Sequence, residues 1–389
     1  MSGPLSGIRV LDLTSVVMGP YCTLFLGDMG ADVIKIEPPS GDTTRYLGPS
    51  RNKGMGSIFL HLNRNKRSVV LDLKTEEGRE ALLALVKKSD VLVHSLRPQS
   101  IARLRLSYKD VKQVNSRIIY CGMYGFSKVG PYGEKPAYDD IIQATSGIAA
   151  VQGKMTGSPQ YLSSLIADKI SGLVGVIAIL AALFHRERTG IGQEIEVPMF
   201  ETMVSYNLIE HMYGQTFLPP LGRPIYSRAA SPYRKPYKTK NGYISVMIYN
   251  DKHWQAFFEI TGRNDLKHDE RFKDINTRSQ HIDFVYKTVA TIMATKTTEE
   301  WLEILERADI PCAGINNPED LFEDPHLAAI GFFETATHPS EGDIRQMKFP
   351  VNFSETPTGF WRHAPRLGEH NEEVFKELGV EKSPNTPNY

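Results

Sequence analysis

"GIRVLDLTSVVMGPYCTLFLGDMGADVIKIE", residues 7–37, decides the fold. It opens with an apolar run entered at Gly7 and followed by Thr14 and Ser15, which predicts a buried strand over Gly7–Leu13. Pro20 suits a helix first turn and Gly30 suits its stop, so a helix is expected within Gly19–Gly30. "ADVIKIE" (Ala31–Glu37) is a second buried strand. Strand, helix and strand within about thirty residues make the unit of a parallel sheet.

The unit recurs downstream. "SVVLDL" (Ser68–Leu73) reads as a strand, and Thr75 with two acids opens the helix "TEEGREALLALVKK". "DVLVHSL" (Asp90–Leu96) is a strand, "YKDVKQVN" a short helix and "RIIYCGMYG" (Arg117–Gly125) a further strand. This alternation predicts an α/β fold with a Rossmann-like large domain around a central parallel sheet. "TGIGQEIEVPMFE" (Thr189–Glu201) adds a turn, a strand and the start of a helix. The Pro-, Arg- and Tyr-rich segment Phe217–Tyr237 then breaks all periodicity and reads as a linker or active-site loop. A hairpin turning at Asn241-Gly242 and two helical patterns follow, which makes a small α+β domain. The expected boundaries are 1–205 for the first part of the large domain, 206–221 for a linker and 222–318 for the small domain. The remaining tail, 319–389, reads as loops and a final helix, His370–Gly379.

Composition narrows the function. The 389 residues carry 45 basic and 45 acidic side chains, so no net charge recruits nucleic acid or an anionic membrane. Three scattered cysteines match neither a disulfide framework nor a metal spacing. The first residues, "MSGPLSGIRVLDL", lack the basic and apolar regions of a secretory signal, and a cytoplasmic setting is expected. The apolar run Ile170–Phe184 is short for a membrane span and suits a core helix. The turn after the first strand is not G-x-G-x-x-G, and P-loop, zinc and serine-elbow motifs are missing.

Carboxylates remain. Asp168 stands at the mouth of the apolar helix, where it reads as an N-cap held by free amides. The same placement suits a carboxylate nucleophile. Asp139 and Asp140 in "AYDDIIQATSG" likewise read as caps. The basic cluster "NRNKRS" (Asn63–Ser68) reads as a solvated loop or as a holder for the phosphates of an anionic carrier. Arg97, Arg103 and Arg105 follow the end of a strand, where ligands of open sheets bind.

Taken in order, "GIRVLDLT", "GPYCTLFLGDMGADVIKIEPPSGDTTR", "NRNKRSVVLDLKTEEG", "YDDIIQATSG", "IADKISG", "TGIGQEIEVPMFE", "IPCAGINNPEDLFEDPHL" and "APRLGEHNEEV" give the chain its resemblance to the family III CoA-transferases (the CaiB/BaiF family, with formyl-CoA transferase and the carnitine CoA-transferase). The resemblance spans nearly the whole sequence. It implies that Asp168 in "IADKISG" is the catalytic aspartate, attacking an acyl-CoA thioester and passing through a mixed anhydride and an aspartyl-CoA thioester, with Asp139 beside it. It implies CoA contacts at Val17, Met18, Leu71, Asp72, Leu73, Lys74, Ser95, Leu96, Arg97, Arg103, Lys135, Ala137 and Tyr138. It implies no metal and no cofactor beyond coenzyme A as substrate, a carboxylic acid acceptor, and an interlocked homodimer in which 319–389 completes the large domain.

Three departures refine this. Many members place Arg after the "KIE" strand; here the position is Pro38, which cannot bind phosphate and leaves that role to Arg45 or Arg67. The α-methylacyl-CoA racemases of the family, the alternative reading, carry a His base before the second acid. Here that position is Tyr138, and a tyrosine with an ordinary pKa of about 10 is a poor base at neutral pH. The consecutive glycines of formyl-CoA transferase have no counterpart in "IYSRAASPYRKPY", where Arg228 and Arg234 instead suit the second carboxylate of a dicarboxylic acid such as succinate.

Overall fold

The structure, a computed structural model, describes residues 3–379. The expected ranges 1–205 and 319–389 begin or end outside them. Two compact units result: residues 3–146, 163–206 and 326–379 form the first, and 147–162 with 207–325 the second. Residues 147–162, expected in the large domain, cluster with the second unit instead.

The elements follow the expected alternation. The chain begins β1 (Arg9–Leu13), α1 (Met18–Asp28), β2 (Asp32–Glu37), α2 (Ser57–Leu62), β3 (Lys66–Val70), α3 (Glu76–Lys87), β4 (Val91–His94), α4 (Pro98–Arg103), α5 (Tyr108–Val114) and β5 (Ile119–Tyr124). It continues α6 (Asp139–Thr145), α7 (Ile148–Thr156), α8 (Ile166–Thr189), β6 (Gln193–Pro198) and α9 (Met199–His211). The second unit adds β7 (Tyr237–Lys238), β8 (Tyr243–Val246), α10 (Asp251–Thr261), α11 (Ile275–Gln280), α12 (Ile282–Met293), α13 (Thr298–Arg307) and β9 (Cys312–Gly314). The chain then runs through α14 (Pro325–Ala329), β10 (Phe333–His338), β11 (Gly342–Met347) and α15 (Asn371–Glu377).

The six strands of the first sheet are all parallel, in the order β3-β2-β1-β4-β5-β6. The Asn241-Gly242 turn joins β7 and β8 antiparallel, and β9 pairs on the far side of β8. The antiparallel β10–β11 hairpin lies where the sequence suggests only loops; its strands are polar and largely exposed. β3 also begins at Lys66, inside the cluster that reads as a loop.

α8 is longer than its apolar run suggests. It has 24 residues, a length and composition that would also cross a membrane, yet only half of its apolar window is buried. It packs on α1 through Gly172, where an added Cβ would lie 2.8 Å from the Met18 carbonyl oxygen. On its outer side Ile177 and Phe184 are 67% and 64% exposed, so it is not a fully enclosed core helix.

Beneath α1 the sheet carries a buried ionic ladder. Lys66 Nζ lies 3.0 Å from Asp12 and donates to Thr23 Oγ1, Asn63 Oδ1 and the Pro20 carbonyl. Lys35 pairs with Asp42 at 2.9 Å and donates to the Thr14 carbonyl. Arg45 forks onto Glu37. Burial by itself would raise the Asp12 pKa, but Lys66, Lys35 and two threonine hydroxyls hold it well below the carboxylate range. Burial pulls Lys66 down to about 8 against the attraction of Asp12. The ladder pins the loop after β1. The Thr14 amide donates to Asp12 and the Val16 amide to Asp42. Val16, β-branched, is held at φ 68°, a strained conformation that needs such support.

Asp12→Ala leaves Lys66 buried without its counter-ion. We expect a loss of about 3–5 kcal/mol in urea unfolding, whereas Glu303→Ala, at an exposed pair with Arg307, changes the midpoint little.

Candidate active site

The strand order reverses between β1 and β4, and open α/β sheets bind ligands at the carboxyl ends of the strands at such a point. A cleft of ≈ 260 Å³ lies there. Ser15, Val16, Val17 and Met18 from the pinned loop form one wall. Ser95 and Arg97 follow β4, while Met123, Tyr124 and Gly125 come from the end of β5. The turn before α6 gives Gly133 and Lys135–Tyr138, α8 gives Asp168 and α9 gives Met199. Gly125 is needed for this closure, because a Cβ there would fall 2.3 Å from Ala137 Cβ.

Asp168 is not the cap that its sequence position suggests. α8 begins at Ile166, and its N-cap, Leu165, offers no side-chain acceptor. The free amides of the first turn are capped from another helix. Asp139 Oδ1 accepts from the amides of Ala167 at 2.7 Å and Asp168 at 3.1 Å. Asp139 Oδ2 accepts from Gln143 Nε2 at 2.6 Å, and Gln143 also donates to the Ser164 carbonyl. Asp139 is 4% exposed. These two amides are therefore occupied and do not serve an oxyanion.

The Asp168 carboxyl is 8% exposed and has no hydrogen-bond or ion-pair partner among the described residues. Burial pushes its pKa up to about 7, and the neighbouring Asp139 charge adds to the rise. An ionised carboxylate here keeps its electron pairs free of protein donors. That is the state in which a carboxylate attacks an electrophile.

Eight of the residues implied by the resemblance meet in the cleft: Val17, Met18, Ser95, Arg97, Lys135, Ala137, Tyr138 and Asp168. Asp139 stands behind Asp168 rather than in the wall. Leu71, Asp72, Leu73 and Lys74 follow β3 along the same sheet edge but outside the cleft. Leu71 is core, and Asp72 Oδ1 accepts from the Lys74 amide. Leu96 packs on the core, and Arg103 is exposed beside Gln99.

The basic cluster does not face a ligand. Arg64 forks onto Asp28, Lys66 joins the ladder, and Arg67 pairs with Asp32, Glu373 and Glu377. Arg45 and Arg67, expected to bind phosphate in place of an arginine at position 38, are both committed to internal carboxylates. Arg228 and Arg234 lie in the second unit. Ser15, Val16, Met123, Tyr124 and Met199 join the wall without having been expected from the sequence. Each follows or ends a strand of the sheet, so the strand ends themselves were the available signal.

Residues 5–371 match the family described as CoA-transferase family III. The chain belongs to the family III CoA-transferases. It is 33% identical to the succinate–glutarate CoA-transferase of Agrobacterium fabrum, over 99% of this chain and 98% of that protein. It is 32% identical to the succinyl-CoA:mesaconate CoA-transferase of Haloarcula hispanica, over 97% of both. It is 30% identical to the human succinyl-CoA:glutarate CoA-transferase, over 96% of this chain and 86% of that one. Among solved structures, a CaiB/BaiF family protein from Brucella suis superimposes with a TM-score of 0.81 at 31% identity, covering 97% of this chain and all of that one. As a family III CoA-transferase, the protein is an enzyme that uses CoA thioesters.

The raised Asp168 pKa has a consequence for stability. A carboxyl with its folded pKa above the unfolded 3.8 contributes stability that is complete below pH 3.8 and is lost as pH rises through about 7. The Asp168→Asn variant is spared this loss. Its melting temperature relative to the parent should climb between about pH 4 and 7 and level off above. A difference that stays constant with pH would show that Asp168 titrates as an ordinary carboxyl.

Proposed function

We propose that this CoA-transferase moves CoA between short dicarboxylic acids, with Asp168 as the nucleophile. The observation that carries the reading is the buried Asp168 carboxyl at the switch-point cleft, without a donor among the described residues and with a pKa pushed up to about 7.

The chemistry proceeds in four displacements. An Asp168 oxygen attacks the thioester carbonyl, the C–S bond breaks, and CoA thiolate leaves a mixed anhydride. The thiolate then attacks the aspartyl carbonyl, releasing the donor acid and forming an aspartyl-CoA thioester. The acceptor carboxylate attacks that thioester, expelling thiolate again and forming a second anhydride. Thiolate attack on the acceptor acyl carbon gives the new CoA thioester and restores the Asp168 carboxylate. No proton is consumed overall. Asp139 holds the first turn of α8 and so fixes the position of Asp168 as a positioning residue. Arg97, Lys135, Ser15, Ser95 and Tyr138 are polar groups of the wall able to meet oxyanion or thiolate charge. The apolar wall from Val17, Met18 and Met199 limits hydrolysis of the anhydrides.

The dicarboxylate class is supported by relatives named for succinate, glutarate or mesaconate. Exchange between formyl-CoA and oxalate, for which a Streptomyces avermitilis relative at 33% identity is named, is less favoured because the glycine run is missing. The racemase alternative is disfavoured by Tyr138, which stands where the racemases carry a His base and is 68% exposed. A homodimer formed over the outer stripe of α8, with Ile177 and Phe184, completes the proposal.

Succinyl-CoA offered with glutarate should yield glutaryl-CoA. Asp168→Ala should lose more than about a thousandfold of this rate, since no other group replaces a covalent nucleophile. The acid limb of the pH profile of the free enzyme should fall near pH 7, with activity rising as Asp168 ionises. Deuterium incorporation at the α-carbon of a 2-methylacyl-CoA in D₂O without an acceptor acid would establish racemisation instead.

A further inference from the structure

The second unit contains a cavity that the transfer chemistry described above does not use. It has a volume of ≈ 250 Å³ and lies between the segment before β7, strand β8 and helices α10 and α12. Three cations border it: Arg228, Arg234 and Lys235. No acidic side chain lines it, and none of the three has a carboxylate partner among the described residues. Arg45, Arg64 and Arg67, by contrast, are neutralised by carboxylates of the first unit.

Arg228 is also held in place. Its Nε donates to the Tyr286 hydroxyl at 3.1 Å, and its guanidinium lies 5.1 Å from the centre of the Tyr249 ring. Burial by itself would ease its proton off, but the Tyr286 hydroxyl more than offsets this, and its pKa lies above the usual value. A guanidinium fixed by neutral partners retains its full charge and keeps N–H groups for a ligand. Apart from Ser245, the remaining wall is apolar and aromatic, with Tyr237, Trp254 and Val289. Cations together with an apolar and aromatic lining suit a short carbon chain with carboxylates at its ends.

We propose that this cavity is a binding site for a short dicarboxylate, of the class exchanged by the enzyme. Arg228 takes one carboxylate in a fork, Arg234 and Lys235 meet the other, and the methylenes lie against Trp254 and Val289. The assignment of the ligand class rests on the proposed transfer function; the presence of an anion site does not.

Trp254 gives the test its signal. The full-length Asp168→Asn protein, which cannot turn over, is titrated with succinate, glutarate, acetate and inorganic phosphate. Tryptophan fluorescence and calorimetry are read together. Succinate and glutarate should bind at least tenfold more tightly than acetate or phosphate. Adding Arg228→Met should weaken them at least tenfold. Adding Arg234→Gln, at an exposed position whose loss leaves packing intact, should weaken them severalfold with an unchanged melting temperature. Equal affinity in all three proteins would overturn the site. Phosphate binding as tightly as the dicarboxylates would overturn the ligand class. Because no turnover is read, failure here is distinct from failure of Asp168 as nucleophile, which the exchange assay measures separately.

Discussion

The Asp139 carboxylate takes the two amides at the start of α8, and the character of the site follows from that bond. A helix N-terminus is normally an attractive place for a charge. Had Asp168 held those amides itself, it would be a stabilised, poorly nucleophilic carboxylate. With the amides filled from α6, Asp168 is left buried beside a like charge. Both effects oppose its ionisation and bring its pKa to about 7. The arrangement gives up stability for a carboxylate that is reactive when ionised. Gln143 completes it by bonding the second oxygen of Asp139 and the chain before α8, so that the capping group is itself fixed.

The opposite wall depends on a different constraint. Asp12, Lys35 and Lys66 are charges enclosed within a parallel sheet, with Asp42 buried in the loop after β2, a costly arrangement unless all are matched. Here they are matched to one another and to the backbone of Thr14 and Val16. The result is a loop rigid enough to keep Val16 at positive φ and to present Val17 and Met18 to the cleft. The ladder and the Asp139 cap therefore act from two sides on the same small volume.

Much of the architecture was legible in the sequence because its signals are local. Apolar runs bounded by glycine and proline located β1, β2, β4 and β5, and Thr75 marked the start of α3. The ordered motifs singled out Asp168 and half of the residues that line its cleft. What could not be read depends on long-range partners. "NRNKRS" looks like a solvated loop until Asp12, Asp28 and Asp32 are seen to neutralise it. Asp168 looks like a cap until Asp139, a helix away, is found in that role. The β10–β11 hairpin is silent in the sequence because exposed polar strands lack the apolar alternation that betrays a strand. One hint was available: Asp12 and Lys35 interrupt strands that are otherwise apolar, and charges at such positions imply partners.

The central claim is that the carboxylate freed by this arrangement becomes covalently bound to CoA. The most direct measurement is to incubate the enzyme with succinyl-CoA, trap the intermediate with hydroxylamine or borohydride, and map the modified peptide by mass spectrometry. The account predicts a single adduct, on Asp168 within "IADKISG". An adduct on another residue, or CoA exchange at full rate with no protein adduct at all, would contradict it.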